Sequence, residues 1–216
     1  MLGIAFLGGS GPAPDAIKDI ARYGDLLIAA DSGLIAAEMA GLKPDWVLGD
    51  MDSLDDLQRL DKYPPERVLR YPSEKDYTDT ELAITFLQDT GCDEIWLVGG
   101  GGGRLDHLLA IYSLFELENP PCRWFTANEE IRCLTEKETL SVTLAPGSRL
   151  SLLPIGASPW EAESTGLKWS LCGLPWKKGG QGLSNTVIDG LFEIRSKNGR
   201  FMVIWEQFQN KKDAGL

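Results

Sequence analysis

Five short runs constrain the fold of the first half of this chain more than any other feature. They are residues 3–7, Leu26–Ala30, 46–48, Glu94–Val98 and the weaker Arg123–Phe125. Each is close to continuously apolar, and four of them end at glycine or aspartate. Runs this short, bounded by turn residues, read as strands buried on both faces. Between them apolar residues recur at helical spacing: Ile35, Met39 and Leu42; Leu82, Ala83, Phe86 and Leu87; Leu105, Leu108, Leu109, Tyr112 and Phe115. Strands alternating with helices in this way predict a mostly parallel sheet, Rossmann-like, with helices on both faces.

Near residues 126–130 the period changes. Segments 131–135, 140–144, 149–154, 191–196 and 201–205 alternate at strand period. Pro146-Gly147 and Asn198-Gly199 are turn signals, the second a hairpin signature. The expectation is an α/β domain over residues 1–128, followed by a small antiparallel β-sandwich over 129–216 with a frayed tail at 209–216.

Composition excludes several roles. The net charge is −11, with no basic cluster, so nucleic acid is not an expected partner. No run approaches a membrane span, and the first residues lack the basic region of a secretory signal. Cys92, Cys122, Cys133 and Cys172 form no CxxC pair. They read as reduced thiols of a cytoplasmic protein.

In open α/β sheets ligands sit beyond the carboxyl ends of the strands, so the acids there matter most. After 46–48 comes GDMDSLDD. Ser53 as N-cap with Asp56 three residues on makes a capping box, and Asp55 then lies in the first turn, so those two acids have a structural role. Asp50 and Asp52 have none. Two apart in an extended segment, they can lean toward one point, as ligands of a cation such as Mg²⁺ or as solvated loop acids. An EF-hand fails, because Leu54 and Asp55 stand where it needs Asp or Asn and then Gly.

In YPSEKDYTDTELA, Thr78 and Glu81 form a second capping box with Asp79 opening the helix, and Ser73 and Lys75 are possible phosphate donors. GGGGGRLDH can bring backbone N–H groups close to an anion. There Arg104 suits phosphate, and Asp106 and His107 open the next helix. No Lys-Ser/Thr pair follows, so this is not a Walker A loop. Asp31 follows a strand some twenty residues after the Gly8-Gly9-Ser10-Gly11 turn, either as a ribose acceptor or as a helix cap.

ADSG, PDWVLGDMDS, EKDYTDTELA and GGGGGRLDH, in this order, resemble the thiamine pyrophosphokinase family. GLKW at 166–169 and Gly182-Leu183-Ser184-Asn185 resemble motifs of its β-domain. The resemblance implies transfer of the diphosphoryl group of ATP to thiamine, with Mg²⁺. It also implies a homodimer, with thiamine held between one subunit's catalytic domain and the other's sandwich. Asp50, Asp52 and Asp79 are then the catalytic, metal-holding acids. Asp31, Lys75, Thr78, Gly100, Gly101, Gly102 and Arg104 lie on the nucleotide side, and Asp106, His107, Ser184 and Asn185 on the thiamine side. Trp169 and Trp176 are possible walls for the thiazolium. Two alternatives remain: the same transfer to a hydroxymethyl-pterin, or a thiamine- and nucleotide-binding module without turnover.

Overall fold

The computed structural model describes residues 1–179 and 182–207. The expected fraying at 209–216 falls outside the described residues. The chain forms two compact units.

The first unit comprises Met1–Leu114 and Arg123–Ala127. Its elements are β1 (Leu2–Phe6), α1 (Pro14–Ala21), β2 (Leu26–Ala30), α2 (Gly33–Met39), β3 (Trp46–Gly49), β4 (Val68–Arg70), α3 (Asp79–Asp89), β5 (Glu94–Val98), α4 (Leu105–Leu114) and β6 (Arg123–Phe125). The strands lie in the order β6-β5-β1-β2-β3-β4, and every neighbouring pair is parallel. Ile4, Ala5, Phe6, Ile28, Ala29, Val47, Leu48 and Leu97 are fully buried. Two covered faces explain why these strands read as unbroken apolar runs. The chain winds from β1 through β4 to one side and places β5 and β6 on the other. The order therefore reverses between β1 and β5, the kind of position where open α/β sheets bind ligands.

Three expectations need correction. Leu105 and Leu109, taken as part of an inward stripe on α4, are 68% and 57% exposed, and the buried residues are Ile111 and Leu114. That helix is apolar on nearly every side, so its period does not choose a face. Met39 on α2 is also exposed, while Gly33, Leu34 and Ala37 face inward. Ser53 caps nothing. The helix after GDMDS is a 3-10 turn, Leu57–Lys62, and its N-cap is Asp56, which accepts a hydrogen bond from the Gln58 N–H at 2.8 Å. Asp55 instead pairs with Arg59 at 2.8 Å.

The second unit takes Phe115–Cys122 and the chain from Asn128 onward. It contains β7 (Glu129–Leu134), β8 (Thr139–Thr143), β9 (Arg149–Ile155), β10 (Glu161–Thr165), β11 (Asn185–Thr186), β12 (Leu191–Asn198) and β13 (Arg200–Glu206). Within this unit strands β11-β9-β13-β7 pair antiparallel in one layer and β10-β12-β8 in the other. Leu152, Phe201 and Val203 from the first meet Ala162, Phe192 and Ile194 from the second in one core, a β-sandwich. The Asn198-Gly199 signal misleads. It joins β12 to β13, yet those strands pair in different sheets. Gly199 there takes φ +74° against Trp160, and the Ser196 hydroxyl donates to the Gly199 carbonyl at 2.7 Å. The turn is a corner between layers, where no ladder forms.

No helix among the described residues is long and apolar enough to cross a membrane.

Candidate active site

A cavity of about 660 Å³ opens in the first unit, at the C-terminal ends of its strands. Its floor is the crossing of the loops after β1 and β5. Ser10 and Gly101 exchange both backbone hydrogen bonds, at 2.6 and 2.9 Å, and the Gly100 N–H donates to the Gly8 carbonyl at 2.8 Å. Gly99 takes φ +98°, and a Cβ there would stand 2.3 Å from the Leu7 carbonyl oxygen. The glycines are therefore required first by close approach of two loops. The N–H groups of Gly99, Gly100 and Gly101 are spent on Phe125, Gly8 and Ser10. What the loop offers an anion beyond them is the stretch from Gly102 to the Arg104 side chain, which lines the cavity with Ser10.

Three carboxylates converge beside the cavity, and two of them, Asp31 and Asp79, line it. Asp31, Asp50 and Asp79 each place an oxygen within 4.8 Å of the others. Asp31 ends β2 in a left-handed backbone conformation, φ +47°, held by its N–H to the Leu48 carbonyl at 2.8 Å. Asp50 follows Gly49, whose φ is +136° and whose added Cβ would press on Asp31 and Asp79 at 3.2 Å. Asp79 is the first residue of α3. The Thr78 hydroxyl accepts from the Glu81 N–H at 3.2 Å, and Glu81 accepts from the Thr78 N–H at 2.8 Å. That reciprocal cap locks the helix start and with it Asp79.

Asp52 is not in this group. Its side chain is exposed and accepts from the Ser53 hydroxyl at 3.0 Å, while its N–H donates to Asp50 at 3.2 Å. The expectation of two acids leaning to one point assumed an extended backbone. Met51 instead has φ +66° and is 97% buried, with 3% exposed, packing among Ala29, Leu34, Val47 and Leu60. Burying Met51 turns the chain, sending Asp50 inward and Asp52 to solvent. Asp31, placed on the nucleotide side from sequence, takes the third position in the cluster.

Lys75 lies among these acids, its Nζ 3.5 Å from Asp50 and 3.2 Å from Asp79. Burial pushes the Asp50 carboxyl up, but the Asp52 N–H and the Lys75 ammonium outweigh it and hold it below the usual value. Asp79 goes the other way. Burial raises it, Lys75 only partly offsets that, and the neighbouring Asp50 and Asp31 charges raise it further. Oδ1 of Asp31 is buried without a hydrogen-bond partner, in a residue only 9% exposed. A buried carboxylate oxygen left so is costly unless something cationic meets it. The donor set is entirely carboxylate oxygen, which suits Mg²⁺.

Of the remaining residues, Thr78, Gly100, Gly101, Gly102, Arg104 and His107 line the cavity. Asp106 is exposed and bound to the Arg104 guanidinium at 3.1 Å, which lowers its pKa. Ser32, Ser53 and Tyr77 also line the cavity, and periodicity carried no signal for them. Their position, one or two residues from the acids of the motifs, is the only hint.

Ser184 and Asn185 belong to the second unit. Ser184 takes φ +57° and its N–H donates to the Ser151 hydroxyl at 3.1 Å. Asn185 is buried, accepts from the Trp169 N–H at 3.1 Å and donates to the Trp169 carbonyl at 2.7 Å. It pins the GLKW turn and leaves the Trp169 ring 53% exposed. Trp176, by contrast, packs edge-on against Phe201 at 5.0 Å as part of the sandwich core.

Residues 17–125 match the model of a family described as thiamin pyrophosphokinase, catalytic domain. Thiamine pyrophosphokinase of Bacillus subtilis (strain 168) is 29% identical over 177 residues, which cover 75% of this chain and 79% of the relative. Thiamine pyrophosphokinase 2 of Arabidopsis thaliana is 26% identical over 169 residues, 71% of this chain and 62% of the relative. Among solved structures, thiamine pyrophosphokinase from Bacillus subtilis matches with a TM-score of 0.78 at 24% identity, covering 96% of this chain and 99% of that one. Thiamin pyrophosphokinase from Candida albicans matches with a TM-score of 0.75 at 16% identity, covering 96% and 89%. At these identities the two structures speak for the fold.

Proposed function

The chain belongs to the thiamin pyrophosphokinase family, and from that premise we propose how its cavity serves the reaction, the ATP-dependent transfer of a diphosphoryl group to the hydroxyl of thiamine, giving thiamine diphosphate and AMP. The observation that carries the proposal is the convergence of Asp31, Asp50 and Asp79, two of which, Asp31 and Asp79, line the same cavity as Arg104.

Asp31, Asp50 and Asp79 would hold Mg²⁺, and a magnesium ion there would supply charge neutralisation for the phosphate oxygens that face the incoming hydroxyl. The chain's own work is positioning. Arg104 binds phosphate from the glycine-loop side. The crossed loops after β1 and β5 set the floor against which the nucleotide lies. The Thr78–Glu81 cap fixes Asp79 so that its carboxylate meets its partners without reorganisation. A carboxylate of this cluster that is not fully committed to the ion takes the hydroxyl proton. His107, on the cavity wall, lies on the acceptor side.

The active assembly is a homodimer in which the partner's sandwich completes the thiamine site. The exposed Trp169, Leu183, Ile188 and Leu191 support a partner surface on the second unit. None of the four cysteines is in a disulfide among the described residues, which supports a reducing, cytoplasmic location.

The test is direct. Protein, ATP, Mg²⁺ and thiamine are mixed, and AMP and thiamine diphosphate are resolved by chromatography. Formation of ADP in place of AMP defeats diphosphoryl transfer. Turnover with a hydroxymethyl-pterin alone moves the acceptor to that class.

A further inference from the structure

Lysine is strongly hydrated and seldom buried unless it is paired. Lys75 is nevertheless only 13% exposed, and its ammonium stands 3.5 Å from Asp50 and 3.2 Å from Asp79. Both acids belong to the converging triad, and the third, Asp31, keeps a buried oxygen unpartnered. Opposite ligands of Mg²⁺ stand about 4.2 Å apart, so a cluster within 4.8 Å is already near the size that the ion needs. An ammonium at such a place and a divalent cation bound to the same oxygens repel strongly.

We propose that Lys75 is the exchangeable counter-ion of this triad. In the metal-free enzyme its ammonium balances the acids, and it withdraws when the divalent ion enters. This rests on the reading of Asp31, Asp50 and Asp79 as the metal-holding set. Lys75 has room to withdraw, because its side chain faces the same cavity that the triphosphate would fill. Once withdrawn, the ammonium can bind a phosphate oxygen. Metal and nucleotide then reinforce each other. Each favours the state with Lys75 off the acids, so each binds better when the other is present.

The experiment uses the full chain without nucleotide, with Mn²⁺ as the spectroscopically visible divalent ion. Its binding is followed by electron paramagnetic resonance, and thermal melting is followed with and without Mg²⁺. In Lys75→Met the uncompensated acids should lower the melting temperature of the metal-free protein. Mg²⁺ should restore it by more than it raises wild type. Mn²⁺ should bind about tenfold tighter or better than to wild type, the order expected when one partly buried cation no longer competes. Equal or weaker Mn²⁺ binding in Lys75→Met overturns the inference while leaving the metal site standing. Mn²⁺ binding by neither protein, or binding unchanged in Asp31→Asn, overturns the metal site and the inference with it. Lys75→Gln, which keeps an N–H donor without the charge, repeats the comparison if Lys75→Met does not fold.

Discussion

At the scale of single residues, Asp79 sets stability against function. Burial comes first among the causes that raise its carboxyl, so the folded protein holds the proton more tightly than the unfolded chain does. Its contribution to stability is therefore fully present below the ordinary value of 3.8 and is lost as pH rises through the higher folded value. Asp79→Asn should raise the melting temperature of the metal-free protein at pH 7, and the gain should shrink as the pH falls toward 3.8. An unchanged or lower melting temperature at pH 7 would contradict this. On the proposed role of Asp79 as a metal ligand, the stabilised variant should be the inactive one. Asp31 and Asp52 make a second contrast. Because Asp31 belongs to the converging set and keeps a buried oxygen without a partner, Asp31→Asn should cut Mg²⁺-dependent turnover by about 100-fold or more, beyond the usual loss for an outer-shell partner. Asp52→Asn, exposed and bound to Ser53, should lose much less. Steady-state kinetics at saturating Mg²⁺ compares them, and equal losses would return Asp52 to the metal set.

At the scale of elements, the start of α3 matters more than its body. Glu81 closes the capping box from outside the cavity, so Glu81→Ala should cost about 1 kcal/mol of stability, measured by denaturant unfolding, without removing a ligand contact. Glu81→Gln, which keeps an acceptor, should lose less, and equal costs would show that the box is not what holds the helix start. This cap was legible in the sequence because it is local: four consecutive residues contain both partners. The turn after β3 was not. Its Ser53 and Asp56 spell a capping box that the chain does not make, because burying Met51 takes the backbone out of the path that box requires. Asn198-Gly199 failed for a related reason. The dipeptide prescribes a tight turn, and only the pairing partners of β12 and β13 decide whether a hairpin or a corner results.

At the scale of the whole molecule, the expectation is assembly. Size-exclusion chromatography with light scattering should give twice the chain mass of 23.7 kDa, and Trp169→Asp should weaken that dimer by adding charge to an apolar contact. A monomer that turns over thiamine at full rate would refute the shared site.

The α/β unit and the sandwich were legible in the order of residues alone, because strand and helix periods are properties of neighbouring residues and both units bury their faces accordingly. The loops that line the cavity were legible too, since parallel sheets expose their ligand-binding groups at strand ends. Which acids meet depends on the folded chain. Asp31, Asp50 and Asp79 lie far apart along the chain, and what joins them is strand order and the backbone turn that Met51 imposes. Neither can be read from spacing, because both depend on burial against residues distant in sequence.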